Sequence, residues 1–299
     1  MTKVMNENRD KPSTANFFWE GILTNYEAAS INSFVNNNFT VNLWTYGNKS
    51  FPKLSKKVQI KDATEILPIK LLNSLNQNFQ KANYSSFSNL FRYKLLDVYG
   101  GWWFDTDCFC LKKVEEFEGI ISGQEYVLGL ERENYVGSAV MYFKENNLLK
   151  NIEDEAYRLI KKNNNKLKWG EIGPDLITEI VISKGLINNM MEPEFFFPIS
   201  PNEISKLFTS NTKIINDNIT DKALVCHTWN EMFRKYNINK TIFPPKDSFL
   251  FNQFEINQIK HTKSEKIYNN FFTFRFSPLL SIFFKMYSRI KVTIKNYLS

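Results

Sequence analysis

The sequence predicts an α/β domain, a sheet flanked by helices, with a basic amphipathic helical extension at its C-terminal end. Three observations carry that prediction. A strand, a helix and a second strand succeed one another within the first fifty residues, which is how a βαβ unit begins. A helical stretch closed by Gly100-Gly101 feeds the apolar run Trp102-Trp103-Phe104, which stops at two carboxylates. From Ile256 onward the chain has eight basic residues against the single acid Glu265, a difference equal to the whole formal charge of +7. Residues 1–255 are therefore neutral on balance.

Each element follows in order. Residues 1–15 are polar and read as a loose N-terminus, leaving a domain over 16–255 and an extension over 256–299. Asn16-Phe17-Phe18-Trp19 reads as a buried strand closed by Gly21. Tyr26, Ala29, Ser30 and Phe34 have helical spacing, and the run from Thr40 to Tyr46 alternates and is rich in β-formers. Ile66–Phe79 reads as a helix. Ser85 or Ser86 can cap the next one, whose apolar positions are Phe87, Leu90, Phe91, Leu95 and Val98, and the glycine pair stops it. Val127–Leu130 and Gly137–Phe143 are strand candidates, and Asn147–Lys161 is a helix. A glycine-marked loop follows at Trp169-Gly170-Glu171-Ile172-Gly173-Pro174. A short apolar strand near 223–230 delivers His227, one of only two histidines.

Composition excludes several classes. With 43% hydrophobic and 23% charged residues, wholesale disorder is excluded. No long uncharged apolar run is present, which excludes a polytopic membrane protein. The first residues lack the pattern of a signal peptide. Cys108, Cys110 and Cys226 make neither a disulfide framework nor a zinc set, so a reduced, cytoplasmic protein is expected. A neutral body gives nucleic acid no basic groove. In the extension Leu280, Phe283, Tyr287, Ile290, Ile294 and Leu298 share one helical face, and Lys285, Arg289 and Lys295 the other. Such a helix suits the inner, anionic surface of a membrane through residues 276–299, or it docks on the body with a solvated charged face.

Asp105 and Asp107 lie two apart in a strand-like segment, so their carboxylates are expected to point one way and Thr106 the other. Two converging carboxylates call for a cation between them, and Mg²⁺ or Mn²⁺ fits such oxygen ligands. A solvated turn is the other reading of that spacing. Arg92, on an otherwise apolar helix face, calls for an anionic partner.

The segment SSFSNLFRYKLLDVYGGWWFDTDCFCLKK resembles the sugar-nucleotide signature of glycosyltransferase family 32, the DXD-containing sugar-binding glycosyltransferases, which are akin to α-1,4-glycosyltransferases. NFFWEGILTNYEAASINSFVNNNFTVNLWTY, WGEIGPDLIT and VCHTWNEMFRK resemble further segments of the family, in the same order along 16–235. The resemblance implies a GT-A type fold, retaining chemistry and a nucleotide-sugar donor, with UDP the expected nucleotide. It implies a saccharide or lipid-linked saccharide acceptor in surface-glycan synthesis. Trp19 would stack on the base, and Arg92 would contact the donor phosphates or sugar. Asp105 would bind ribose, sugar hydroxyl or metal, and Asp107 the metal. His227 would add a metal or diphosphate contact, with Trp229 and Asn230 closing over the diphosphate. Glu171 and Asp175 are candidates for holding the sugar or the acceptor hydroxyl. Distant relatives carry Ser-Asp where this chain has Ser88-Asn89; a neutral amide at Asn89 can hydrogen-bond a sugar hydroxyl but cannot act as a base. Two rival readings stand beside the transferase: a haloacid-dehalogenase-like phosphatase, whose motif also begins with an aspartate pair, and an inactive membrane-bound glycan-binding scaffold.

Overall fold

The computed structural model describes residues 14–76, 84–144 and 147–269. Its strands are β1 (Thr14–Phe18), β2 (Thr40–Thr45), β3 (Gln59–Asp62), β4 (Gly101–Phe104), β5 (Cys108–Cys110), β6 (Tyr126–Arg132), β7 (Tyr135–Phe143) and β8 (Val225–His227). The helices are α1 (Asn25–Asn36), α2 (Ile69–Asn76), α3 (Tyr84–Tyr99), α4 (Val114–Ile121), α5 (Asn147–Lys162), α6 (Pro174–Ser183), α7 (Pro193–Phe196), α8 (Thr212–Asn216), α9 (Asn230–Lys235) and α10 (Phe249–Ile256). Six strands form one sheet in the order β3-β2-β1-β4-β7-β6, and β5 pairs with β8 in a small second ladder. The pairs β3–β2, β2–β1 and β1–β4 are parallel, whereas β7 runs antiparallel to both β4 and β6.

The central strands are mostly apolar because the sheet is covered on both faces. Phe17, Trp102 and Phe104 pack with Phe34 of α1 and Phe117 of α4, while Phe18 and Trp103 pack on the other face with Phe91 of α3. Ring centroids of Phe34 and Phe104 are 4.3 Å apart, and those of Phe18 and Phe91 4.6 Å. Trp102 and Trp103 are thus both core, one on each face.

Helix α1 departs from simple amphipathicity: all but its last residue is buried, including Asn25, Glu27, Ser30, Asn32 and Ser33. It lies between the large sheet and the small ladder, so its polar side chains serve as connectors. Ser30 Oγ donates to Cys108 O (2.6 Å), and Ser33 Oγ accepts from Cys110 N (2.8 Å). Thr24 and Glu27 close a capping box at its start.

Four details differ from the sequence reading. Behind Pro68, α2 starts at Ile69 rather than Ile66, and 77–79 lie outside the described residues. Ser85 and Ser86 sit within α3 instead of capping it. Strand β3, a partly exposed polar edge, and helix α4 had no sequence signal strong enough to mark them. Residues 256–269 pack on the domain: Ile259 is buried, Phe243 N donates to Lys266 O (2.8 Å) and Tyr268 N to Phe243 O (2.9 Å). The amphipathic stretch 276–299 lies outside the described residues, among which no helix is long and apolar enough to cross a membrane.

Candidate active site

The strand order places the site. β1 has β2 on one side and β4 on the other, so the connections diverge between β1 and β4 and leave a crevice at their C-terminal ends. Trp19 follows β1 there and Asp105 follows β4. A cavity of about 570 Å³ opens at this point, lined by Trp19, Asn89, Arg92, Asp105, Thr106, Asp107, His227, Trp229 and Asn230 among others.

The aspartates converge through a turn rather than through strand alternation. Cys108 N donates to Asp105 O (3.0 Å), closing a four-residue turn between β4 and β5, so Thr106 also faces the cavity instead of pointing away. Asp105 is clamped: its Oδ1 accepts from Trp103 Nε1 (2.9 Å) and pairs with Arg92 Nη2 (2.9 Å). Burial raises its pKa above the ordinary carboxylate value against the pull of Arg92, and the Asp107 charge adds to the rise.

Arg92 is 3% exposed, and the anionic partner it calls for is Asp105 itself. The guanidinium lies over the Trp103 ring, 4.9 Å from its centroid. Nε donates to Ser88 O (3.2 Å), Nη2 to Ser88 Oγ (3.2 Å) and Nη1 to Ser138 O. Its donors are committed to protein groups.

Asp107 belongs to the other end of the turn. The β5–β8 ladder sets Cys108 opposite His227, which brings His227 Nε2 to 3.2 Å from Asp107 Oδ1. Asn230 N donates to Oδ2 (2.7 Å), and Thr228 donates through N and Oγ1 (both 2.9 Å) to the Asp107 carbonyl. Burial works to raise the Asp107 pKa, but the charge and hydrogen bond of His227 and the Asn230 amide bring it down to about 2. Burial likewise favours neutral His227, yet the Asp107, Asp105 and Glu131 carboxylates outweigh it and raise its pKa above the ordinary 6.5. Trp229 reaches Asn230 through a left-handed backbone (φ 60°, ψ 62°), a strain of about 1–3 kcal/mol for a residue with a side chain. Its Nε1 holds the turn by donating to Ile199 O (2.6 Å).

Trp19 is half-buried at the cavity edge, and its Nε1 has no partner among the described residues. Asn89 is buried on α3, and Gly173 makes room for it: a Cβ there would press on the Asn89 amide, with Cγ only 3.0 Å away.

Two candidates do not reach the cavity. Glu171 accepts from Asn163 Nδ2 and Lys168 N (2.6 Å each), which fixes its loop and keeps its carboxylate out of the cavity lining. Asp175 stands behind Tyr135, whose hydroxyl donates to its Oδ1 (2.7 Å). Three further residues were invisible to motif reasoning. Glu131 and Tyr135 line the cavity from the β6–β7 hairpin. Lys240 pairs with fully buried Glu27, with Nζ 5.7 Å from the Trp19 ring centroid.

Divalent metal chemistry fits part of this set. Ligand atoms of Asp107, Cys108 and His227 lie within 4.8 Å of one another. An ionised carboxylate suits Mn²⁺ or Mg²⁺, and an imidazole Nε2 favours Mn²⁺, the transition ion of the two. Cys108 does not suit such an ion: burial pushes its thiol pKa well up, and Sγ faces Ala139 O.

Two family models match the chain in succession. The glycosyltransferase sugar-binding region containing the DXD motif matches residues 23–127, and the α-1,4-glycosyltransferase conserved region matches 150–243. No curated protein matches significantly. Similarity to solved structures is loose. PaToxG glycosyltransferase is 15% identical over 72% of this chain and 80% of its own (TM-score 0.42). Mouse xyloside xylosyltransferase 1 is 10% identical over 73% and 97% (TM-score 0.43), and WbbM bifunctional glycosyltransferase 12% identical over 86% and 51% (TM-score 0.47). With its aspartate pair inside the first family region and His227 inside the second, the chain carries the DXD-containing sugar-binding region followed by the α-1,4-glycosyltransferase region, and it is a glycosyltransferase.

Proposed function

We propose that this glycosyltransferase takes its sugar from a nucleotide donor, with UDP as the nucleotide, and passes it to a saccharide or lipid-linked saccharide with retention at the anomeric carbon. The observation that carries the reading is the convergence of Asp105, Asp107 and His227 from two separate ladders on one cavity bounded by Trp19. Trp19 stacks on the base at the cavity edge. Asp107 and His227 face the diphosphate and are the residues that would hold a divalent ion there. When bound, that ion supplies electrostatic stabilisation of the leaving diphosphate. Trp229 and Asn230 close over the diphosphate from the strained turn. Asp105 and Asn89 receive the sugar hydroxyls, and Arg92 acts by orienting and charging Asp105. The domain spans 16–255 with the stretch to 269 packed upon it, and residues 276–299 dock the enzyme on the inner surface of a membrane where a lipid-linked acceptor is presented.

Thermal unfolding against a panel of nucleotide sugars, in Mn²⁺ and in EDTA, tests this reading. One donor at about a hundred times its Kd stabilises the fold by about 2.7 kcal/mol, only with metal, and Asp107→Asn abolishes the effect. A folded protein that no donor stabilises overturns the proposal.

A further inference from the structure

The β6–β7 hairpin and the loop before α6 build a wall of the cavity that the donor reading leaves unused. Glu131 sits in it by a specific device. Leu130 pairs with Val136 and Arg132 with Tyr135, so Glu131 is the extra residue of a β-bulge. Bulges beside active sites re-aim a side chain, and here the aimed side chain is a half-buried carboxylate lining the cavity. It makes no hydrogen bond or ion pair with any described residue. Gly137 on the facing strand leaves the space it needs: a Cβ there would stand 2.8 Å from Glu131 Cγ.

Trp169 lines the same cavity and is 64% exposed, among the most exposed large apolar residues described. Its loop is pinned on both sides. Glu171 takes the Lys168 amide, Gly173 N donates to Gly170 O (2.8 Å), and Asp175 N reaches the same carbonyl (3.2 Å). Gly170 has φ +85°, with Asp175 Oδ2 2.9 Å from where its Cβ would be. The indole is therefore held out at the cavity mouth by a fixed loop. Tyr135 ties the two parts together, lining the cavity while its hydroxyl donates to Asp175 Oδ1.

We propose that this wall is the acceptor subsite, in which a neutral pyranoside lays its C–H face on Trp169 and donates a hydroxyl to Glu131. An exposed flat ring beside an unpaired acceptor is what a pyranose, apolar on its faces and hydroxylated at its rim, can satisfy at once. The unpaired Glu131 carboxylate, as acceptor of the sugar hydroxyl, disfavours an anionic group at that position. The assignment rests on the transferase reading for the second substrate, but the binding surface can be read out separately.

The experiment uses the full chain and methyl α- and β-glycosides of glucose, galactose, mannose and N-acetylglucosamine, with methyl glucuronide as the anionic control. Transfer rates are measured with acceptor and donor varied separately, and each glycoside alone is titrated by tryptophan fluorescence. Trp169→Ala and Glu131→Gln are expected to raise the acceptor KM at least tenfold while the donor KM moves less than twofold. Trp169→Phe recovers most of the loss, and the glucuronide is the poorest acceptor. An acceptor KM unchanged in both variants, or a donor KM that rises as much, overturns the assignment and leaves the transferase reading intact. If the wild type consumes no nucleotide sugar yet a neutral glycoside shifts its fluorescence, and not that of Trp169→Ala, the subsite stands and the transfer reading falls. Binding or transfer of no glycoside at all overturns the subsite.

Discussion

Replacing Arg92 with methionine tests the electrostatic core of the site. The substitution keeps most of the aliphatic bulk on α3 but removes the cation that Asp105 faces at 2.9 Å, and it leaves Ser138 O without its donor. Removing one partner of a buried ion pair costs about 3–5 kcal/mol, because the other charge is left uncompensated. Asp105 is not fully enclosed: its side chain is 29% exposed and Trp103 Nε1 still donates to it, so about 2–3 kcal/mol is the reasoned loss. For a domain of this size that corresponds to a fall in Tm of about 4–6 °C. Arg92→Lys should fall between, since one ammonium cannot reach Asp105, Ser88 and Ser138 together. Thermal unfolding followed by circular dichroism at neutral pH measures all three proteins, and donor titration of the same samples measures binding. Arg92→Met within 1 °C of wild type, or with donor affinity unchanged, would show that Asp105 does not depend on this cation.

Other outcomes follow from neighbouring features. Gly173→Ala drives a methyl into the Asn89 amide; about 1–3 kcal/mol of overpacking is expected, with donor affinity falling more than acceptor affinity, measured by calorimetric titration. Lys240→Met leaves the Glu27 carboxylate without its cation in a site where that side chain has no exposure, and urea unfolding should show a loss of about 3 kcal/mol. In EDTA the Asp107–His227 pair gives the fold a defined pH window. Its histidine contribution is complete below 6.5 and lost as pH rises through the raised native value, while the aspartate contribution is complete above 3.8 and lost as pH falls through about 2. Tm should therefore decline on the alkaline side, and His227→Gln should flatten that limb.

The parts of the site legible in the sequence were those fixed by strand ends. Trp19, Asp105, Asp107 and His227 each sit at or just beyond the end of a short apolar run, and the switch between β1 and β4, with the β5–β8 ladder, brings such ends together. What failed depended on local irregularity. A two-residue alternation rule put Thr106 on the wrong side because the aspartates occupy a turn, and a bulge hid Glu131 for the same reason. Glu171 carries the right charge in the right loop, yet the loop needs it for its own amides. Helix α1 was found, but its fully buried polar face could not be read, since a helix between two layers has no solvent side to betray its period. Lys240 lies in a loop, where neither period nor motif marks a side chain.

The bond from Thr228 to the Asp107 carbonyl joins positions 121 residues apart. Sheet pairing among β1, β2, β3 and β4 needs only the first 104 residues, but His227, Thr228 and Asn230 can reach the aspartate turn only once β8 has been made. Contacts of that separation carry a large loop-closure cost and come late in folding. During synthesis, then, a chain that has not yet emerged past β8 has a sheet but half a reaction centre. A chain lacking β8 therefore lacks the His227, Thr228 and Asn230 contacts that hold Asp107 in place.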